Sequence, residues 1–379
     1  MQEVLEPRRM LAATAYVNDA GTLIIAGDET DNVIHVDATG TDVVVTLDGV
    51  QQTFDPATIK RTSIGGLSGN DNIDIDGRID SYVEGNAGDD VIRTGGADAV
   101  VVGGAGSDRL SLENSPEAVH LMARGGTLFE SEAIVRAASY ELTIIDRFNR
   151  INLTRFDDEA VLGITDILSG DTFADELFLG AGNDSVRGQG SEVNGAIDMI
   201  VHGGAGRDIA TVEASLQFRF LGGEDDDAVA FNVPTDADSP YAPDGGAGID
   251  LLSLANIPNS PGVSGGTGAI VRLPDSGSFE RFFINALNSN GLWARVIVGT
   301  DQGEEIEVAS GQANPAESLI IEAGGGDDTI IASATNDLTI HGEAGDDVIF
   351  GSSGDDRLFG GKGNDVLFGE ERTRSALRR

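Results

Sequence analysis

The chain has 379 residues, enough for more than one compact domain, but 52 of them are glycine and only 5% are aromatic, a poor composition for one large globular core. Asp and Glu number 64 against 24 Lys and Arg, a formal net charge of −40 and a pI near 4.1, which excludes a surface that attracts nucleic acid or anionic membranes. A hydrophobic fraction of 40% and a mean hydropathy of −0.08 lie above the range of disordered acidic chains, so something folds. Cysteine is absent, which leaves stacking or oxygen ligands as the only staples.

In chain order, Arg8 and Arg9 precede a short apolar stretch, Met10 to Ala15, brief for an ordinary export signal. The run Leu5-Glu6-Pro7-Arg8-Arg9-Met10-Leu11 resembles the LEPR-XLL segment at the start of many planctomycete surface and secreted proteins. The resemblance implies an exported protein. Next, Thr22 to Ile25, Val33 to Val36 and Val43 to Leu47 read as strands, with a hairpin turn at Asp48-Gly49 before Val50. These are expected to cap the open end of the repeats beyond them.

From residue 66 onward the chain carries a nine-residue period. Loose copies stand at 66–74 (GLSGNDNID), 85–93 (GNAGDDVIR), 103–111 (GGAGSDRLS), 170–178 (GDTFADELF) and 179–187 (LGAGNDSVR). More stand at 203–211 (GGAGRDIAT), 222–230 (GGEDDDAVA), 245–253 (GGAGIDLLS) and 323–331 (AGGGDDTII). Near the C-terminus the period is clean: 342–350 (GEAGDDVIF), 351–359 (GSSGDDRLF) and 360–368 (GGKGNDVLF) run in tandem without insertion.

Glycine at positions one, two and four of such a unit permits positive φ, so the segment turns tightly and aims carbonyls inward. The Asp in position six adds a carboxylate. A short strand such as Val348-Ile349-Phe350 or Val366-Leu367-Phe368 comes next and offers one apolar side chain to a shared interior. A lone unit buries nothing, so successive turns must stack. A ring of oxygens with no thiolate favours hard cations, calcium first.

These units resemble the RTX, or haemolysin-type calcium-binding, nonapeptide GGxGxDxUx, where U is a large aliphatic residue. The resemblance implies an all-β parallel solenoid, a β-helix or β-roll, in which two nonapeptides form one coil and calcium lies between loops eighteen residues apart. Carried over residue by residue, it marks Gly342, Gly345, Asp347, Gly351, Gly354, Asp356, Gly360, Gly363 and Asp365 as the calcium-binding set, with Asp347 and Asp365 on one face and Asp356 on the other. Asp90 and Asp108 share the eighteen-residue offset, and Asp328 belongs to the unit at 323–331. Asp98 stands one place early in the unit at 94–102, and Asp184, Asp208 and Asp227 have no partner at that spacing. An Asp that only caps its own turn is the alternative for these.

Two stretches break the pattern. Residues 112–169 contain Ala133 to Val135 and Leu142 to Ile145, and residues 254–320 hold the only tryptophan, Trp293, near Phe279, Phe282 and Phe283. Both read as wider coils with the aromatic residues in the core, or alternatively as an inserted functional lobe. The tail carries Arg372, Arg374, Arg378 and Arg379, unlike the acidic and hydrophobic ends usual after RTX repeats.

Catalytic signatures are missing. His35, His120, His202 and His341 stand singly without HExxH spacing, Gly361-Lys362 is followed by Gly363 where a phosphate loop needs Ser or Thr, and GxSxG does not occur. No run of 18 apolar residues is present, so no spanning helix is expected. The organisation expected is a targeting segment (1–19), capping strands and hairpin (20–64), a degenerate solenoid with insertions (65–341), regular repeats (342–368) and a basic tail (369–379). The expected function is a non-enzymatic, secreted or surface-bound calcium protein, structural or adhesive, with cell-surface polysaccharide or matrix as its partner. The competing expectation is a polysaccharide lyase or epimerase, or a glycan-binding module, on a β-helix.

Overall fold

The computed structural model describes residues 13–124, 132–139, 141–145, 148–164, 174–190, 195–212, 216–231, 243–254, 269–272, 279–285, 287–288, 291–292, 294–309, 319–333, 337–369 and 375–377. The segment from Leu5 to Leu11, Trp293 and the four tail arginines lie outside them. The described residues are strands and turns, and the only helical element among them is one 3-10 turn, Pro56–Thr58. None forms a helix long and apolar enough to cross a membrane. The chain divides into two compact units, Met1–Asp184 with Ile197–Val201, and Ser185–Ala196 with His202–Arg379.

In the first unit, strands from successive coils pair in parallel. Arg61–Ser68, Ser81–Ala87 and Ala99–Ala105 form one ladder, with Thr62 opposite Ser81 and Ser81 opposite Ala99. Val33–Ala38, Asn72–Gly77, Val91–Arg93, Arg109–Ser111 and Phe148–Asn152 form another. Side chains alternate in and out with the period of two that strands impose. Register therefore sets like above like: Ile34, Ile73, Ile92, Leu110, Ile151 and Leu177 are successive partners, each 0% exposed. Ile64, Val83 and Val101 do the same in the first ladder.

The expected hairpin forms. Val33–Ala38 pairs antiparallel with Val43–Leu47, which pairs antiparallel with Val50–Phe54. Asp48 and Gly49 both take positive φ, 49° and 81°, the backbone of the turn that matches strand twist. These strands close the parallel ladder on that side with a solvated edge.

Residues 120–145 depart from the expected wider coils. His120–Arg124, Glu132–Arg136 and Glu141–Ile145 form an antiparallel meander. Its outer members pair in parallel with Ala99–Ala105 and Glu159–Ile164. Three rungs are thus inserted by folding the chain back on itself, and short turns suffice where a parallel rung would need a crossover. Opposite, Arg109 still pairs with Arg150.

In the second unit Ile209–Val212, Ala228–Phe231, Leu251–Leu254, Arg281–Asn285, Glu305–Ala309, Thr329–Ser333, Val348–Phe350 and Val366–Phe368 are consecutive parallel partners. Leu338–Ala344 and Arg357–Lys362 pair likewise. Thr339 stands opposite Arg357 and Val348 opposite Val366, the eighteen-residue coil expected there. Phe279 and Phe282 are buried with ring centroids 6.5 Å apart, so these aromatics are core. On the outside, Phe350 stacks on Phe368 at 4.8 Å and His341 on Phe359 at 4.7 Å.

Because each inward residue is roofed by its neighbours in adjacent coils, a cavity in one rung weakens two others. Ile92→Ala should cost about 3 kcal/mol, read as a lower midpoint in urea unfolding; a change under about 0.5 kcal/mol would show that the rungs repack independently.

Candidate metal centres in the turns

Each turn between ladders places its position-six side chain inside, where the backbone of the neighbouring coil is within reach. Asp71, Asp90, Asp328 and Asp347 are at most 1% exposed. One carboxylate oxygen, Oδ1, accepts the main-chain N–H of the equivalent residue one coil earlier. The bonds run from Asn32 to Asp71 (2.8 Å), Asp71 to Asp90 (2.8 Å) and Asp90 to Asp108 (2.9 Å). In the second unit they run from Asp328 to Asp347 (3.0 Å) and Asp347 to Asp365 (3.2 Å).

The other oxygen is different. Oδ2 of Asp71, Asp90, Asp227, Asp250 and Asp347 is buried and accepts no hydrogen bond, a costly state for a carboxylate oxygen without a positive partner. It lies against the position-one glycine. A methyl group on Gly342 would overlap Asp347 Oδ2 and come within 2.6 Å of the Gly360 carbonyl oxygen. Gly85 has the same relation to Asp90 Oδ2 and the Gly103 carbonyl, 2.6 Å away. The missing Cβ thus lets a carboxylate and a main-chain carbonyl converge on bare backbone, and such oxygens are the donors a hard divalent cation takes. These residues fit calcium.

Position five carries a second series of bonds, running the other way and exposed. Asp89 N–H donates to Asn70 Oδ1 (2.8 Å), Ser107 to Asp89 (2.9 Å), Asp346 to Asp327 (2.8 Å) and Asn364 to Asp346 (2.7 Å). Sequence reasoning registered this position only as polar. The alternation of Asp, Asn and Ser there was the available signal, since each carries a short side-chain acceptor.

The structure sorts the marked residues by column. Asp90 and Asp108 share one, as do Asp328, Asp347 and Asp365, with Gly342 and Gly360 in position one. Gly345 and Gly363, in position four, take φ of 152° and 138°, and a Cβ on either would overlap a carbonyl of the preceding coil. Asp356 lies in another turn, where its oxygens accept from Leu338 and Ser352, and Gly351 and Gly354 are not left-handed. Asp98 is exposed. Asp184, Asp208 and Asp227, without a partner at the eighteen-residue spacing, are bonded at other spacings: Asp158 donates to Asp184 (2.6 Å), Asp208 to Asp227 (2.8 Å) and Asp227 to Asp250 (2.7 Å). The bonded series keeps its register although the coils differ in length. Asn32 and Asn149 extend the column of Asp71, Asp90 and Asp108, Glu280 extends that of Asp250 and Glu304 that of Asp328; they were missed because the spacing to them is irregular.

Burial dominates the electrostatics. It pushes Asp71 up to about 6 and Asp184 and Asp227 each up to about 7, against partial relief from the main-chain N–H bonds. Asp90, Asp250 and Asp347 are raised by the same cause, and Glu304 and Asp328 are raised as a pair, first by burial. Elsewhere, His35, Asp74 and Asp76 stand within 4.8 Å of one another on an outer face, with His35 Nδ1 3.7 Å from Asp74 Oδ2 and the Asn114 amide 3.1 Å from Asp76 Oδ1.

The family model of the RTX calcium-binding nonapeptide repeat matches residues 80–110, 163–190, 320–338 and 339–370. These stretches make up less than a third of the chain. No curated protein matches it. Calcium is the ion that this repeat family binds, and the all-β fold of parallel strands with Asp-rich turns is the one such repeats build.

The turns themselves lead to two expected outcomes. Glu343, exposed in position two, holds φ at 77°, a conformation that costs a residue with a Cβ about 1–2 kcal/mol; Glu343→Gly should raise stability by up to about 1 kcal/mol once the added freedom of the unfolded chain is discounted. In chelator, the buried acids keep protons that the unfolded chain releases near pH 4. Their contribution is therefore fully present below about pH 4 and is lost as pH rises to about 7. The melting temperature of the metal-free chain should fall across that window, and a rise there would refute the burial argument.

Proposed function

We propose that this chain is an exported, calcium-loaded repeat protein, structural or adhesive, which completes its fold on meeting extracellular calcium. The observation that carries the reading is the column of buried carboxylates, each with one oxygen bonded across coils and the other, at Asp71, Asp90, Asp227, Asp250 and Asp347, accepting no hydrogen bond. Asp347 and Asp365, with Gly342, Gly345, Gly360 and Gly363 around them, form the leading site; Asp328 extends it, and Asp90 and Asp108 form its counterpart in the first unit.

Calcium supplies positive charge where like charges crowd. Two charges about 4 Å apart repel by roughly 1 kcal/mol in water and more where water is excluded, so a net charge of −40 resists collapse until it is neutralised. Extracellular modules bind calcium at about 10⁻⁴ to 10⁻³ M, so a cytosol poor in calcium keeps such a chain open for export. Adhesion to cell-surface polysaccharide or matrix belongs to the same reading. The stacked rings of Phe350 and Phe368, 38% and 49% exposed beside a groove of about 370 Å³, offer an apolar ledge of the kind that marks interaction sites.

The test is far-ultraviolet circular dichroism during a calcium titration to about 10 mM with magnesium as control. A cooperative gain of β-signal in calcium alone is expected; a full β-signal in chelator, unmoved by calcium, would sink the folding claim. Replacing Asp347 and Asp365 together by Ala should weaken calcium binding and loosen the C-terminal coils, and unchanged calcium affinity would refute the site.

A further inference from the structure

Most of the described turns fall into two classes, divided by the residue in position two; the turn at Thr300 stands between them, since its hydroxyl bonds Glu304 while Glu304 Oε2 accepts no hydrogen bond. In the first class the position-two residue is left-handed whatever its type: Leu67 at 83°, Asn86 at 78°, Glu343 at 77° and Gly361 at 115°. The carboxylates of the turns that Leu67, Asn86 and Glu343 belong to are Asp71, Asp90 and Asp347, whose Oδ2 atoms accept no hydrogen bond.

In the second class position two is Thr154 or Ser352, neither of them left-handed. Each turns its amide and its hydroxyl onto the acid four residues on. Thr154 N–H donates to Asp158 Oδ2 (2.7 Å), and its hydroxyl lies 2.9 and 2.8 Å from the two oxygens. Ser352 does the same to Asp356, at 2.6 Å through its N–H and 3.2 and 3.1 Å through its hydroxyl. The hydroxyl then accepts the position-four N–H, from Phe156 (3.1 Å) or Gly354 (3.3 Å). Oδ1 also accepts from a neighbouring coil, Val119 (2.7 Å) or Leu338 (2.9 Å). Both carboxylate oxygens are thereby satisfied by protein alone.

Position one agrees. In the first class a Cβ there would overlap the carboxylate, whereas the second class holds Leu153 in that place, and a Cβ on Gly351 would stand 3.0 Å from Asp356 Oδ2. Glycine is what lets the carboxylate press against the backbone in one class, and it is not required in the other.

We infer that Thr154 and Ser352 take the place of the cation, so that their turns are cation-free staples and calcium enters only turns whose second residue is left-handed. The inference rests on the calcium reading above. It gives Asp356, with Gly351 and Gly354, a structural role beside the calcium-holding Asp347. Two nonapeptides that read alike, 342–350 and 351–359, thus do different work.

Calcium bound to the full chain, counted by equilibrium dialysis, tests this on Asp347→Asn, Asp356→Asn and Ser352→Gly, each checked for fold by circular dichroism. Asp347→Asn should lose at least one ion and Asp356→Asn none. Ser352→Gly should gain one, because its freed carboxylate and a glycine in position two restore the first class of turn. Equal losses in the two Asp variants would overturn the inference and leave the calcium reading standing; a wild-type chain that binds no calcium would overturn both. Should Asp356→Asn fail to fold, Ser352→Gly decides: an added ion supports the inference and an unchanged count overturns it.

Discussion

One hydrogen bond organises the turns: a buried carboxylate on one coil accepts the main-chain N–H of the coil before it. It fixes where position six must lie, and so forces the preceding backbone into a tight bend and the following residues into a strand. It also creates the chemistry, because a carboxylate has more acceptor capacity than one N–H can fill. The remaining oxygen must be met by a cation, a proton or a hydroxyl. Asp347 beside its glycine cradle, the upward-shifted Asp71, and Asp356 beneath Ser352 are three answers to that one demand.

The period of nine made the turns legible where coils are regular. Between 342 and 368 the Gly and Asp phase alone places Asp347 over Asp365, because nothing is inserted between them. Where coils vary the phase misleads. Asp158 and Asp184, or Asp227 and Asp250, sit in register although their sequence offsets differ from eighteen, since lengthening a loop costs little. The strands at 133–135 and 142–145 were legible from their β-branched residues, but their direction was not: alternation is the same for a parallel and an antiparallel rung.

Position two hides its meaning in another way. Leu67, Asn86, Glu343 and Gly361 share no side-chain chemistry, so the position reads as variable, yet what they share is a backbone conformation that the turn imposes. Ser352 and Thr154 look like further variants of that noise. Only the hydroxyl four residues before an acid, and at Thr154 a leucine where glycine belongs, betray the other kind of turn.

The two series of bonds between turns, position six reaching back to the coil before and position five receiving from the coil after, make every interior turn chemically alike at its two faces. In the regular repeats each turn meets like backbone partners eighteen residues away, so one coil stacks on the next in the same way. Adding or deleting eighteen residues in the regular stretch 342–368 would add or delete a whole coil without shifting the phase of the rest. Chains of this design can thus vary in reach one coil at a time.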